Sequence, residues 1–230
     1  MSHSPLVKPP RFWRNPAPGR ASLAASGLAF FGVHIFLTEY DARTRVAPMD
    51  LVKATADGAA ALGAQRVILS GAGLVRDGTV ADGDLALKVA GLHEAARYCR
   101  DRGLACAYHN HGPEFAAGGA EITGLIARTD PALVSFLVDC GWAYRAGVDL
   151  AAFFTRHRAR LAGVHLRDFK GEQQVPLGQG DVNWSPLASA IRDSGWDGWV
   201  LAEEERADGT KPGAAAAGPA RDTLRRLFGR

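Results

Sequence analysis

The sequence predicts a parallel α/β fold of the (β/α)8 barrel type, in which about six βα units are recognisable. Short apolar runs alternate with amphipathic stretches of ten or more residues, and side chains of metal-binding types follow four successive apolar runs. A closed barrel needs eight strands. Residues 1–20 are too few to supply two further units of roughly 25–30 residues each. We therefore expect a barrel that is incomplete at its N-terminus.

Hydrophobic periodicity and stop signals place the elements in order. Predicted helices at 49–62 and 84–102 each end at a glycine, Gly63 and Gly103, because glycine takes the left-handed conformation that closes a helix. Asp130 and Pro131 follow a helix at 120–128, and a Ser-Pro pair begins one at 185–194. The remaining predicted elements are strands at 28–37, 65–69, 104–109, 134–142, 161–166 and 198–203 and helices at 149–160 and 219–228.

Composition indicates an ordinary globular chain of 230 residues, with 47% hydrophobic and 22% charged residues. We expect an irregular N-terminal arm over 1–20 and one barrel-like domain over 21–230. The net charge of +3 is small and much of the basic excess lies near the two ends, so no nucleic-acid partner is indicated. The three cysteines lack paired spacing, which favours a reducing compartment. Since no run could span a membrane and no secretion signal is visible, we expect a cytoplasmic protein without a membrane partner.

Four polar residues at the ends of successive predicted strands are candidate metal ligands: His109, Asp139, His165 and Glu203. Each has a structural explanation when taken alone. A single histidine is often a hydrogen-bonded core residue, Asp139 could cap the next helix, and Glu203 could belong to a solvated acidic turn. Parallel barrels, however, bring the C-terminal ends of their strands to one face, where the functional residues lie. Carboxylates and imidazoles together suit a divalent cation, so the joint pattern predicts a shared metal site.

Five ordered motifs resemble those of the xylose-isomerase-like sugar phosphate isomerase/epimerase superfamily, with the nearest likeness to its inosose dehydratase members. The motifs are YHNHG at 108–112, LVDCGW at 137–142, VHLRD at 164–168, LGQGDVNW at 177–184 and GWVLAEEE at 198–205. The resemblance covers residues 28–230 and is specific only after residue 104. It implies a TIM barrel that holds a divalent metal, commonly manganese, magnesium or cobalt, at its mouth.

Carried over by position, the resemblance places Asp139, His165 and Glu203 on metal-ligand positions. His109 stands where many members have a glutamate that is both ligand and base, so a two-glutamate epimerase mechanism is in doubt here. Arg167 stands where relatives often have lysine; arginine stays charged and suits oxyanion binding rather than proton transfer. Relatives also have two more βα units in front. We therefore expect a homo-oligomer whose interface covers the open side of the barrel.

The expected activity is that of a sugar or polyol isomerase, epimerase or dehydratase, acting on a keto-sugar or keto-inositol through a metal-stabilised enediolate. The expected catalytic residues are Glu203, His111 and Glu205, and the expected substrate contacts are Arg167, Trp142, Asn110 and Glu114. The sequence leaves the role of Asp168 open, since this residue could orient His165 or bond to backbone. His34 is expected to be structural.

Two other functions compete with this one. A degenerate barrel acting as a non-enzymatic partner subunit is the main alternative, favoured by the missing first units and opposed by the intact ligand set. A metal-dependent endonuclease acting on abasic DNA is disfavoured because no basic stripe is present. Neither a Walker-type loop nor a GxGxxG motif occurs, so no nucleotide cofactor is expected.

Overall fold

The structure, a computed structural model, describes residues 15–204 and 213–229. The chain forms two compact units. The first comprises the described residues up to His109 together with Ala117–Ser135, and the second comprises Asn110–Ala116 together with the described residues from Phe136 onward. None of the helices in the described ranges combines the length and the apolar character needed to cross a bilayer.

The first unit contains three parallel strands with helices and one short hairpin. The strand at Val33–Ile35 pairs in parallel with the strand at Arg66–Leu69, where Val33 lies opposite Val67. The strand at Arg66–Leu69 also pairs in parallel with the strand at Ala105–His109, where Arg66 lies opposite Ala105. In chain order the elements are α1 (Ala17–Ser26), β1 (Val33–Ile35), α2 (Met49–Leu62), β2 (Arg66–Leu69), β3 (Val75–Arg76), β4 (Thr79–Val80), α3 (Asp82–Arg100) and β5 (Ala105–His109).

Helix α3 shows how the sequence pattern produces packing in this unit. Its buried face recurs at intervals of three and four residues, from Leu85 through Leu92 to Cys99, as an amphipathic helix requires. One member of that face is charged: Lys88 is fully buried, and Glu121 pairs with it. Burying a lysine is tolerable only when its charge and its donors have partners.

Helix α4 (Gly112–Arg128) begins in the second unit and ends in the first. Its backbone has positive φ at Ala117, Gly118 and Gly119, with values of 52°, 66° and 76°. Two of these three residues are glycines, which enter the left-handed region without a Cβ penalty. The sequence predicts the part from residue 120 onward but not the turn-like segment before it.

The second unit contains three further parallel strands. The strands at Val134–Asp139 and Trp199–Ala202 both pair with the strand at Leu161–Leu166. Asp139 lies opposite His165 on one side of that strand, and Leu201 lies opposite His165 on its other side. The elements are β6 (Val134–Asp139, whose first two residues belong to the first unit), α5 (Cys140–Arg145), α6 (Leu150–His157), a 3-10 turn (Arg158–Arg160), β7 (Leu161–Leu166), β8 (Asp168–Lys170), β9 (Gln173–Val175), α7 (Ser185–Asp193), β10 (Trp199–Ala202) and α8 (Gly213–Phe228).

All six predicted βα strands form, which confirms the parallel α/β prediction. The predicted first strand is shortened to Val33–Ile35, and the helix predicted at 149–160 closes as a 3-10 turn. The strand predicted at 134–142 ends at Asp139, because the Asp139 carboxylate caps a helix that begins at Cys140. The hairpins β3–β4 and β8–β9 were not predicted, because strands of two or three residues are too short to show an alternating pattern. Most of the predicted arm lies outside the described residues, and its last residues enter α1.

Candidate metal and substrate site

Asp139 ends β6 and caps α5 with the same carboxylate. Its Oδ1 accepts hydrogen bonds from the backbone N–H groups of Gly141 and Trp142, at 2.9 and 3.1 Å. Its backbone is held by the Asn110 amide, which accepts from the Asp139 N–H at 3.0 Å and donates to its carbonyl at 3.4 Å. The side chain is fully buried. Asp139 therefore presents a carboxylate whose position is determined by the strand and by the helix that follows it.

Arg167 follows β7 directly and is 2% exposed. Its Nε donates to Asp139 Oδ2 at 2.7 Å, its Nη1 donates to Gln174 Oε1 at 3.0 Å, and its Nη2 donates to Glu203 Oε1. Close approach of α5 permits this arrangement. A Cβ at Gly141 would lie 2.3 Å from the Arg167 carbonyl oxygen, so only glycine fits there.

Glu203 and His165 face each other across β10 and β7. The Glu203 N–H donates to the carbonyl of Leu166 at 3.0 Å, which carries the parallel pairing one step past the end of β10. The His165 Nδ1 contacts Glu203 Oε2, while the other carboxylate oxygen meets Arg167. Both side chains are partly buried, with exposures of 13% and 20%.

The donor set in the second unit fits a divalent cation. One ligand atom from each of Asp139, His165 and Glu203 lies within 4.8 Å of the others. Two carboxylates, those of Asp139 and Glu203, meet the guanidinium of Arg167. Burial raises the pKa of the Asp139 carboxyl; Arg167 opposes that rise and Glu203 adds to it. Two carboxylates and an imidazole are ligands that zinc and manganese accept.

The geometry also restricts how Asp139 could bind a metal. A carboxylate oxygen offers two acceptor positions. Both positions of Oδ1 are used by the N–H groups that cap α5, whereas Oδ2 accepts from Arg167 Nε. Both oxygens therefore already accept from donors, and a metal bound at Oδ2 would share that oxygen with the Arg167 guanidinium.

His109 ends β5 in the first unit and is fully buried. Its ring meets the ring of His34 edge-on, with centroids 4.8 Å apart. Ser70 links the two: its hydroxyl donates to the His109 carbonyl at 3.2 Å and lies 2.8 Å from His34 Nε2. Because the single hydroxyl proton is used, Ser70 accepts from His34, whose Nε2 is then protonated. His34 is thus a packing partner of a candidate ligand, a role that the sequence did not reveal.

The remaining predicted site residues, Glu114, Trp142 and Glu205, have different surroundings or lie outside the described residues. Glu114 is buried and accepts from the backbone N–H of His111 at 3.0 Å, which is half of a capping box for α4. Trp142 packs on the ring of Phe169, with centroids 5.2 Å apart. The Cζ atoms of Arg145 and Arg167 lie 5.3 and 5.7 Å from the centroid of the Trp142 ring. Glu205 lies outside the described residues.

The carboxylate of Asp168 bonds mainly to backbone N–H groups. It is 1% exposed and holds together the segment that carries the hairpin β8–β9. Its two oxygens accept from the backbone N–H groups of Phe169, Gly178, Gly180 and Val182 and from the indole of Trp184. The segment from Asp168 to Trp184 is therefore an ordered loop built around one carboxylate.

Curated relatives of this chain are inosose dehydratases. It is 30% identical over 136 residues to the inosose dehydratase of Lacticaseibacillus casei, a match that covers 50% of this chain and 45% of the relative. A second, from Geobacillus kaustophilus, is 30% identical over 138 residues, covering 51% and 44%. The chain therefore spans a little under half the length of these relatives.

Solved structures show the same fold. The IolI protein with a bound zinc atom superposes with a TM-score of 0.76 at 15% identity, covering 97% of this chain and 86% of that one. The 3-keto-D-glucoside 4-epimerase of E. coli gives a TM-score of 0.70 at 16% identity, covering 95% and 85%. The family described as xylose isomerase-like TIM barrel matches residues 19–227. With its parallel βα units and this match over most of its length, the chain belongs to the xylose isomerase-like TIM barrel family.

Proposed function

We propose that this chain is a divalent-metal-dependent sugar or polyol isomerase, epimerase or dehydratase that acts on a keto-sugar or keto-inositol. The observation that carries the proposal is the convergence of Asp139, His165 and Glu203 to within 4.8 Å around the buried Arg167. Family membership supports it, as do the names of the relatives, which include inosose dehydratases and sugar epimerases. The zinc atom of the IolI structure supports a metal without identifying the one used here.

Asp139, His165 and Glu203 would hold the metal, and we propose His109 as the fourth ligand. His109 ends β5 as Asp139 ends β6, and an imidazole is a good ligand for zinc and manganese alike. When bound, a divalent cation supplies Lewis-acid polarisation of a carbonyl oxygen, which makes the neighbouring C–H bond more acidic.

The chain's own residues would bind the substrate and move its protons. Glu203 is the proposed base that takes the proton beside the carbonyl, and Arg167 stabilises the negative oxygen that results, because its guanidinium stays charged. His111 or Glu205 would return a proton to the adjacent carbon in an isomerase, or protonate a departing hydroxyl in a dehydratase. Imidazole suits this exchange, since its ordinary pKa of about 6.5 lies near neutral pH. Trp142, Asn110 and Glu114 are the proposed substrate neighbours.

Metal analysis of purified protein tests the site directly. We expect about one divalent ion per chain in the wild type, and loss of that ion in Asp139→Ala and in His165→Ala, because each removes a ligand. Asp149→Ala is a matched control: Asp149 also caps a helix, accepting from Ala152 N–H at 3.0 Å, but belongs to α6 away from the proposed ligands. Full metal content in both ligand variants would refute the site.

We also propose that the chain works as a homo-oligomer. Within the described residues, β10 pairs only with β7 and β1 pairs only with β2. Each of these strands therefore has backbone groups on its other side that another chain can pair with or cover.

A further inference from the structure

Gln174 lies on β9, in the hairpin that follows β7, and the site described above gives it no role beyond contact with Arg167. Its Oε1 accepts a hydrogen bond from Arg167 Nη1 at 3.0 Å. The orientation of its amide follows from chemistry. A guanidinium has only donors, so the amide must turn its oxygen toward Arg167 and its NH2 group away from it.

That NH2 group is closed to solvent and has no hydrogen-bond partner among the described residues. The indole Nε1 of Trp142 is in the same condition. Both groups lie beside one guanidinium: Gln174 bonds to Arg167 directly, and the Trp142 ring centroid is 5.7 Å from the Arg167 Cζ. Buried donors are nearly always paired in folded proteins. An acceptor supplied by a bound ligand would give these two donors the partners that the described residues do not.

We propose that Gln174 is a specificity-determining residue whose Nε2 donates to a hydroxyl or carbonyl oxygen of the substrate, with Trp142 Nε1 donating to a second oxygen. Amide and indole N–H groups are neutral donors, so they recognise the uncharged oxygens of a polyhydroxylated carbonyl compound. A site built to bond a hydroxyl group rejects strongly the analogue that lacks it. This inference rests on the proposed function and assigns to one residue part of the selection for a sugar or cyclitol.

Two substitutions at Gln174 separate its bond to Arg167 from its donation to the substrate. Gln174→Glu keeps an oxygen for Arg167 but replaces the donor with an acceptor, and Gln174→Met removes both. Gln173→Glu is the matched control, because Gln173 is the preceding residue of β9 and its side chain is exposed. Trp142→Phe removes the second N–H and keeps an aromatic ring beside Phe169.

Calorimetric titration with an inosose, D-fructose and D-psicose, with and without added manganese, measures binding independently of turnover. We expect both Gln174 variants to bind the preferred compound about tenfold or more weakly than the wild type does. Their metal content should be unchanged, and the affinity of Gln173→Glu should equal that of the wild type. Monodeoxy analogues of that compound should identify the contacted oxygen. We expect the wild type to bind one deoxy analogue more weakly than the parent compound. In Gln174→Met, that analogue and the parent compound should bind with equal affinity.

The outcomes distinguish this inference from the proposed function. Loss of affinity in neither Gln174 variant would overturn the inference while leaving the metal site standing. A wild type that holds its metal but binds none of the three compounds would overturn it as well. A wild type that holds no metal would refute the metal-dependent function, and the titrations without manganese would still support or overturn the assignment of Gln174.

Discussion

Single residues in this chain carry more than one task, and Asp139 is the clearest case. The same carboxylate caps α5 through Oδ1 and meets Arg167 through Oδ2. Both explanations that the sequence allowed for Asp139, a helix cap and a candidate ligand, are therefore compatible in one geometry. The cap restrains the carboxylate before any ligand binds, which would reduce the entropy lost in the metal coordination that we propose for it.

A residue-scale prediction concerns His93. Its Nε2 accepts from the Asp130 N–H at 2.9 Å, which only the neutral ring can do. Burial lowers the pKa of His93; the charge of Arg97 lowers it further and Asp130 opposes. A group whose pKa is lower in the folded state stabilises the fold above its unfolded pKa of about 6.5, and that contribution is lost as pH falls through the folded pKa.

We expect the free energy of unfolding of the wild type to fall relative to His93→Gln between pH 7.5 and the folded pKa of His93, on the order of one hydrogen bond, about 1 kcal/mol. Glutamine keeps an acceptor for Asp130 but does not titrate. Urea denaturation at several pH values, with the histidine pKa followed by NMR, measures both quantities. A constant difference between the two proteins across this range would contradict the assignment.

At the scale of elements, one buried ion pair connects two helices to a loop. Lys88 of α3 and Glu121 of α4 are both fully buried, with Nζ and Oε1 2.5 Å apart. Lys88 Nζ also donates to the Ala72 carbonyl at 2.8 Å, and Glu121 Oε2 accepts from the Leu74 N–H at 2.7 Å. The pair therefore holds the loop after β2, which begins at Ser70, the residue that links His34 to the end of β5.

Removing one partner of this pair should destabilise the protein strongly. We expect Lys88→Met or Glu121→Leu to lower the free energy of unfolding by about 3–5 kcal/mol, since each leaves a buried charge without its counterion. The double variant should lose less than the sum of the two, because no unpaired charge remains. Arg100→Ala is the comparison, since Arg100 and Asp101 form an exposed pair expected to contribute about 1 kcal/mol at most.

Chemical denaturation of the four proteins forms a double-mutant cycle. Strictly additive losses would show that the two charges do not depend on each other, and small losses in both single variants would show that the loop is held by other contacts.

At the scale of the whole molecule, the proposed assembly depends on strand edges. Beside β10 lies a cleft of about 570 Å³ whose lining includes Trp196, Trp199, Leu224 and Phe228. Aromatic side chains are enriched in the centres of protein interfaces. The edge of β10 and this cleft are therefore the surface that we expect a second copy of the chain to cover.

Light scattering coupled to gel filtration measures the assembly. We expect a mass of at least two chains for the wild type, and dissociation in Phe228→Asp, because a carboxylate in place of this aromatic ring would have to be desolvated on association. Leu87→Asp is the control, since Leu87 is an exposed apolar residue on α3, outside the cleft. A wild type that elutes as a well-behaved monomer at micromolar concentration would contradict the assembly.

The sequence was sufficient to predict the six parallel strands, most of the helices, the family and the residue types that end the strands. These are local properties: the α3 stripe, the glycine after α2 and the candidate ligand types at Asp139 and His165 are all visible in short windows of sequence. The helices α1 and α5 and the two hairpins were not predicted. The hairpin strands are too short to show a period, and α5 begins inside the run at 134–142 that was predicted as one strand.

The bonds between side chains could be seen in the tertiary structure alone. Nothing in the sequence near Ser70 indicated that its partner is His34, 36 residues away. Nothing near Gln174 indicated that its amide nitrogen is buried without a hydrogen-bond partner among the described residues. The sequence likewise left open whether Asp168 bonds to His165 or to backbone. The structure shows that its carboxylate accepts from backbone N–H groups of the loop that follows it. Hydrogen-bond partners depend on distances between atoms far apart in the chain, and those distances exist only once the strands are registered and packed.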